Sequence, residues 1–132
     1  MGGIEAVAAR LRTASTIGVV GHVRPDGDAL GSMIALARSA RLAGKSAVAS
    51  FAEPFVVPEE MTFLDLSVLV APDAFPDGLD VAVAVDTSVR ERVGSLATAM
   101  ETAESLVVID HHVSTSAWGA VRLVDPASAA TT

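Results

Sequence analysis

Residues 17–32 read IGVVGHVRPDGDALGS, an apolar run followed by a polar turn and the beginning of a helical pattern. The apolar residues 17–20 are continuous rather than alternating, which is typical of a strand in a parallel sheet covered by helices on both faces. From residue 30 to residue 42, apolar side chains recur at roughly helical spacing, and Gly44 is a suitable stop. This stretch therefore predicts a strand, a turn and a helix, which together begin a βαβ unit.

Further short apolar runs repeat this pattern along the chain. They lie at residues 47–51, 81–85 and 106–109, with a last candidate strand at 120–124 and a short one at 68–70. Residues 90–104 predict a helical crossover that is broken near Gly94. Strands that alternate with helices predict an α/β fold, a parallel sheet with helices on both faces. No repeat or low-complexity linker interrupts the 132 residues, so we expect one domain over residues 1–132.

The composition limits the kinds of site that the chain can build. Hydrophobic residues make up 51% of the sequence and charged residues 19%, which suits one globular domain. There is no cysteine, so any metal site must use imidazole and carboxylate ligands. The N-terminal region has no apolar run long enough for a signal sequence or a spanning helix. We therefore expect a soluble, cytoplasmic protein without a membrane partner.

The charge of the chain bears on its partners. The formal net charge is −7, and only 9 residues are Lys or Arg. Binding to duplex DNA relies on many basic side chains that neutralise phosphates, so we expect no duplex DNA partner. A small phosphorylated ligand remains compatible with an acidic protein if bound divalent cations supply positive charge locally.

Polar side chains follow three of the predicted strands at the point where each strand ends. They are His22, Asp26 and Asp28 after the first strand, Asp86 after residues 81–85, and Asp110, His111 and His112 after residues 106–109. Because the carboxyl ends of parallel strands meet at one edge of a sheet, residues far apart in sequence can converge there. All three histidines of the chain belong to this set. The pattern predicts a single site at that edge.

The residue types in this set favour a cation as the ligand. Pro25 and Gly27 make a tight turn that can aim His22, Asp26 and Asp28 towards one point. Two carboxylates held close together repel each other unless a cation lies between them. A single aspartate of this kind is more often a turn or helix-cap residue. It is the conjunction of four aspartates and three histidines at strand ends that predicts a site for divalent cations.

The segments GHVRPDGDALGS (21–32), VDTS (85–88) and VIDHH (108–112) resemble, in order and spacing, the first three motifs of the DHH phosphoesterase family. The PDGDALGS form is similar to the subgroup of nano-RNases and 3′-phosphoadenosine 5′-phosphate phosphatases. The resemblance implies two divalent cations, usually manganese, with magnesium or cobalt as alternatives. It implies the following roles: His22 and Asp26 hold one metal, Asp28 and His111 hold the other, Asp86 bridges them, His112 contacts the scissile phosphate and Asp110 orients its neighbours.

The same resemblance implies metal-assisted hydrolysis of a phosphoester. The expected substrates are short oligoribonucleotides, 3′-phosphoadenosine 5′-phosphate, and linear or cyclic dinucleotides, and a homodimer is expected for the full-length protein. One alternative keeps the chemistry but changes the substrate, as in inorganic pyrophosphatases and exopolyphosphatases of the same superfamily. A second alternative is a non-catalytic domain that binds metal or nucleotide.

The resemblance also predicts that residues 1–132 form an incomplete DHH domain. In the family a fourth metal-site aspartate lies beyond a helix that follows the DHH run. Asp125, in the context DPASAATT, is similar to the Asp-Pro turn before that helix and not to the ligand. The family's C-terminal substrate-binding domain is likewise expected to be missing. We therefore expect a fragment of a longer protein, with little or no hydrolysis by these residues alone.

Overall fold

The computed structural model describes residues 3–132, which contain a five-stranded sheet whose neighbouring strands are all parallel. The strands are β1 (Thr16–Val20), β2 (Ser46–Ser50), β3 (Val81–Val85), β4 (Ser105–Asp110) and β5 (Val121–Val124). Their order across the sheet is β2-β1-β3-β4-β5. The predicted α/β fold with a parallel sheet is confirmed.

Helices cover both faces of this sheet, as the continuous apolar strands predict. The α-helices are α1 (Gly3–Thr13), α2 (Gly27–Leu42) and α3 (Ala97–Glu101), and 3₁₀ helices lie at Glu59–Met61, Pro72–Ala74 and Arg90–Leu96. Helices α1 and α2 pack on one face, while Arg90–Leu96 and α3 pack on the other. The predicted break in the crossover is confirmed at Gly94, whose φ of 60° and ψ of −134° are not helical.

Burial on both faces explains why β3 has no polar residue. Its side chains alternate between two hydrophobic cores, so Val83 packs with the core that contains Leu30, and Ala84 packs with the core that contains Met100. All five residues of β3 are buried. A polar side chain at any of these positions would lie in one core or the other without water.

The structure differs from the sequence-based predictions in several elements. Helix α1 is not among the predicted elements, although Ile4, Val7 and Leu11 recur at helical spacing; of its residues only Val7 is fully buried. Helix α2 begins at Gly27 rather than at residue 30, and residues 68–70 form an isolated bridge from Leu69 to Ala49 instead of a strand. Among residues 3–132, no helix has both the length and the apolar character needed to cross a membrane.

Gly18 in β1 lies where the sheet meets the side chains of Phe75 and Leu79. A Cβ atom at this position would come within 2.5 Å of both side chains. We expect Gly18→Ala to lower the free energy of unfolding by about 1–3 kcal/mol, because the well-packed core must shift to admit a methyl group. Urea denaturation measures this change.

Gly31→Ala in α2 is the matched control for that substitution. Its Cβ would meet only the side chain of Thr132, at an ordinary distance of 3.6 Å. Because alanine favours helical backbone, we expect the free energy of unfolding of this variant to rise by about 0.5–1 kcal/mol. Equal effects of the two substitutions would contradict the packing of Gly18 described above.

Candidate metal centre

The predicted site residues lie where the order of the sheet reverses. The chain passes from β1 to β2 on one side, whereas β3 pairs with β1 on its other side. In open parallel sheets this reversal opens a crevice at the carboxyl ends of the strands, where ligands bind. Side chains at the carboxyl ends of β1, β3 and β4, or just after them, meet in this crevice. They include all seven predicted residues: His22, Asp26, Asp28, Asp86, Asp110, His111 and His112.

Asp86 is the central residue of this cluster. It is only 2% exposed, and its two carboxylate oxygens face different histidines. Oδ2 lies 3.3 Å from Nε2 of His22, and Oδ1 lies 3.4 Å from Nε2 of His111. Asp86 therefore stands between two groups of donors that come from different strand ends.

The backbone of Asp86 is strained in a way that aims its side chain. Its φ is 62°, in the left-handed region that non-glycine residues seldom adopt. Its N–H donates to the carbonyl oxygen of Ile109 at 3.0 Å, so the β3–β4 pairing continues past the end of β3 and holds the residue in place. Such strain persists where the surrounding structure enforces it, and it is concentrated at functional sites.

His22 and Asp26 lie on one side of Asp86. The backbone carbonyl of Val23 can only accept, so Nδ1–H of His22 donates to it at 2.9 Å. This hydrogen bond directs Nε2 towards the carboxylates, 3.3 Å from Asp86 and 3.8 Å from Oδ1 of Asp26. A histidine held in this way presents its other nitrogen to a ligand, an arrangement typical of metal-binding histidines.

Asp26 also caps helix α2. Its Oδ1 accepts a hydrogen bond of 2.9 Å from the N–H of Ala29, and its backbone is extended, as N-cap residues require. Asp26 therefore does have the helix-capping role that is common for an isolated aspartate. It leaves room for a second role, because a carboxylate has about four lone-pair positions and the cap uses one of them.

His111 and Asp28 lie on the other side of Asp86. Nε2 of His111 is 3.2 Å from Oδ2 of Asp28, which belongs to the first turn of α2. Burial alone would raise the pKa of Asp28, but hydrogen bonds from Thr131 and Thr132 outweigh it and hold the pKa well below its usual value. Asp28 is therefore kept ionised beside the imidazole.

Asp110 and His112 form a hydrogen-bonded pair at the rim of the cluster. Oδ1 of the buried Asp110 accepts from Nδ1 of His112 at 2.7 Å, and also from the backbone N–H groups of His111 and His112. The bond to Asp110 raises the pKa of His112, which favours the protonated ring. Because the His112 side chain is 55% exposed, its remaining nitrogen can serve as a donor to a bound ligand.

The electrostatics of the cluster call for positive charge. Burial raises the pKa of Asp86 from 3.8 to about 6, and the nearby carboxylates of Asp28 and Asp26 act in the same direction. Nδ1–H of His22 donates to a backbone carbonyl, so the ring nitrogen that faces Asp86 is Nε2. When Nε2 carries no proton, its lone pair points towards the Asp86 carboxylate. A cation between these groups would replace repulsion by coordination.

The donors fit divalent cations in spacing and in chemistry. The nitrogen and oxygen atoms that face each other are 3.2 to 3.8 Å apart. Neighbouring donors at about 2.1 Å from a common octahedral ion would be about 3 Å apart, so small shifts of the side chains suffice. Groups of Asp and His able to hold a metal ion occur at His22, Asp26 and Asp86 and again at Asp86, Asp110, His111 and His112. Imidazole and carboxylate ligands suit hard or borderline divalent ions.

Two residues at the site, Thr131 and Thr132, are missed by sequence analysis. Their sequence context predicts the opening turn of a helix, whereas residues 125–132 form turns and an irregular segment that returns to Asp28. No spacing or periodicity links positions 28 and 131. The hydroxyl groups of Thr131 and Thr132 are the feature of the sequence that could have indicated a site, but hydroxyl groups are common in turns.

Comparison with known proteins gives three findings. The family model described as "DHH family, N-terminal domain" matches residues 16–132. A curated relative, the bifunctional oligoribonuclease and PAP phosphatase NrnA of Thermus thermophilus, is 33% identical over 114 residues, which cover 83% of this chain and 32% of the relative. The crystal structure of an exopolyphosphatase-related protein from Bacteroides fragilis has the same fold, with a TM-score of 0.87 at 20% identity over 98% of this chain and 40% of that chain. The chain thus spans about a third of the length of the curated relative.

Proposed function

The chain belongs to the DHH family, and from this membership and the geometry of its metal centre we propose that the protein is a phosphoesterase that uses two divalent cations. The observation that carries the proposal is the position of Asp86. One of its oxygens faces His22 and the other faces His111, so a single buried carboxylate can be shared by two ions. The resemblance to the DHH family noted in the sequence is confirmed.

The proposed ligand sets follow the two sides of Asp86. His22 and Asp26 would hold one ion, Asp28 and His111 would hold the other, and Asp86 would contact both. We propose manganese as the ion, with magnesium and cobalt as alternatives that the same donors accept. When bound, two such cations supply positive charge at the phosphoryl oxygens and make a water molecule easier to deprotonate.

The remaining residues handle the substrate. We propose that protonated His112 donates from Nε2 to a phosphoryl oxygen, while Asp110 holds the ring through Nδ1. A donor fixed in this way stabilises negative charge that develops on the phosphoryl group without having to reorient during the reaction. Because the chain carries a net charge of −7, an anionic substrate depends on these local positive groups.

The proposed substrates are short oligoribonucleotides, 3′-phosphoadenosine 5′-phosphate and linear or cyclic dinucleotides. The Thermus relative, whose name states the first two activities, supports this choice. Pyrophosphate or polyphosphate is the second substrate class, supported by the description of the Bacteroides protein as exopolyphosphatase-related. We also propose a homodimer, a cytoplasmic location and no duplex DNA partner. The proposal includes the prediction that residues 1–132 form an incomplete DHH domain.

An activity assay on the full-length protein tests the proposal. With Mn²⁺ present, we expect hydrolysis of a diribonucleotide and of 3′-phosphoadenosine 5′-phosphate, loss of both activities on chelation, and recovery when Mn²⁺ is added back. The 132-residue chain serves as the reference, and we expect it to bind Mn²⁺ with little hydrolysis. Product release is measured by chromatography.

The other outcomes of this assay identify the alternative functions. Turnover of pyrophosphate without turnover of either nucleotide would assign the protein to the second substrate class. Binding of Mn²⁺ by the full-length protein without turnover of any of these substrates would support the non-catalytic alternative and contradict the proposed enzyme. Activity that survives complete chelation would contradict the metal centre itself.

A further inference from the structure

The two threonines at positions 131 and 132 contact Asp28 through their backbone and side chains. The N–H of Thr131 lies 3.1 and 3.0 Å from the two oxygens of Asp28, and the N–H of Thr132 lies 2.9 Å from Oδ1. The hydroxyl of Thr132 donates to the same Oδ1 at 2.6 Å. These contacts join residues about a hundred positions apart, so they depend on the tertiary fold and not on local sequence.

Thr131 also reaches the central aspartate. Its hydroxyl donates to Oδ1 of Asp86 at 3.1 Å while its N–H donates to Asp28. Thr131 therefore ties the first turn of α2 to the residue that follows β3. The oxygen that it contacts on Asp86 is the one that faces His111.

We propose that Thr131 and Thr132 are positioning residues of the metal centre, which hold the carboxylates of Asp28 and Asp86 in the orientation that binds cations. The inference rests on the proposed function, since it assigns these residues to the same pair of ions. Oδ1 of Asp28 takes the hydroxyl and the N–H of Thr132, whereas Oδ2, the oxygen that faces His111, accepts only from the N–H of Thr131 and keeps a lone pair for an ion. Oδ1 of Asp86 likewise accepts from the Thr131 hydroxyl and keeps a second lone pair. Partners of this kind orient the ligands and restrict their movement before the ion arrives.

Without the threonine donors, the carboxylate of Asp28 is free to turn. Asp28 is exposed enough to rotate, since its side chain is 20% accessible, and it lies on the first turn of α2 with His111 as its neighbouring imidazole. Rotation would turn Oδ2 away from His111 and separate the donors of one ion. The result would be weaker metal binding, because the carboxylate must then be ordered when the ion binds.

The test measures Mn²⁺ affinity in four variants of the protein by isothermal titration calorimetry. Thr131→Val and Thr132→Val remove one hydroxyl each, nearly keep the side-chain shape and leave the backbone N–H groups in place. We expect each to bind Mn²⁺ about 10- to 100-fold more weakly, as is usual when a partner of a metal ligand is lost. Thr131→Ser and Thr132→Ser keep the hydroxyl and should bind Mn²⁺ as the unmodified protein does.

Thr13→Val is the matched control, because the hydroxyl of Thr13 contacts backbone carbonyls at the end of α1. Thermal unfolding without Mn²⁺ separates positioning from a purely structural role. Lower unfolding midpoints with unchanged Mn²⁺ affinity in both valine variants would overturn the inference. Tighter Mn²⁺ binding would also overturn it, since the threonines would then obstruct the ions. If the unmodified protein binds no Mn²⁺, the proposed function fails and takes the inference with it.

Discussion

Asp86→Asn is expected to abolish phosphoesterase activity in the full-length protein, with kcat/KM at least about 10³-fold lower than in the unmodified enzyme. Asparagine has the same size and tolerates the positive φ of this position better than most residues, so the backbone is kept. What is lost is the negative charge, and one of the two carboxylate oxygens is replaced by an NH₂ group that cannot bind a cation. Calorimetry with Mn²⁺ should show that both ions bind weakly or not at all.

The control for this prediction is Asp73→Asn, the same change at an exposed aspartate in the Pro72–Ala74 3₁₀ helix. It removes one negative charge outside the metal centre and should leave kcat/KM unchanged. Asp86→Asn should not lower the unfolding midpoint of the metal-free protein, because the charged form of Asp86 is disfavoured there by burial and by Asp28. Loss of activity accompanied by full Mn²⁺ affinity would contradict the proposed bridging role.

Much of the fold could be predicted because a parallel sheet covered on both faces leaves a simple pattern in the sequence. Every position of β3 is buried, so residues 81–85 contain only valine and alanine. Helix α1 has a pattern of another kind, in which Ile4, Val7 and Leu11 recur at helical spacing. It packs against β5 through a narrow contact in which Val7 alone is fully buried, while Ile4 is 65% exposed. That spacing is the signal of an amphipathic helix, so α1 could also have been predicted from the sequence.

The site could be predicted to a similar extent and for a related reason. The residues that follow parallel strands lie at one edge of the sheet, so the sequence alone predicts that His22, Asp86 and His111 meet. The backbone and side-chain conformations that orient these residues towards each other could not be predicted. The positive φ of Asp86 and the return of Thr131 to the centre arise from contacts between distant segments, and no local pattern encodes them.

His112→Ala gives the second large effect, and it separates catalysis from metal binding. Nδ1 of His112 is committed to Asp110, which raises the pKa of the ring, and the side chain is more than half exposed. We expect kcat of the full-length enzyme to fall about 10²- to 10³-fold, the usual loss when one donor to the developing negative charge is removed. Mn²⁺ affinity should stay close to that of the unmodified protein.

His111→Ala is the adjacent comparison, since the two imidazoles lie against each other with ring centroids 4.3 Å apart. Nε2 of His111 lies 3.2 Å from Asp28 and 3.4 Å from Asp86, so this variant should lose Mn²⁺ affinity as well as activity. Nδ1 of His112 also lies 3.9 Å from Oδ1 of Asp86. The rival assignment is therefore that His112 is itself a metal ligand. If both variants lose Mn²⁺ to the same degree, the rival is correct. If only His111→Ala loses Mn²⁺ affinity, His111 holds an ion and His112 stabilises the phosphoryl group.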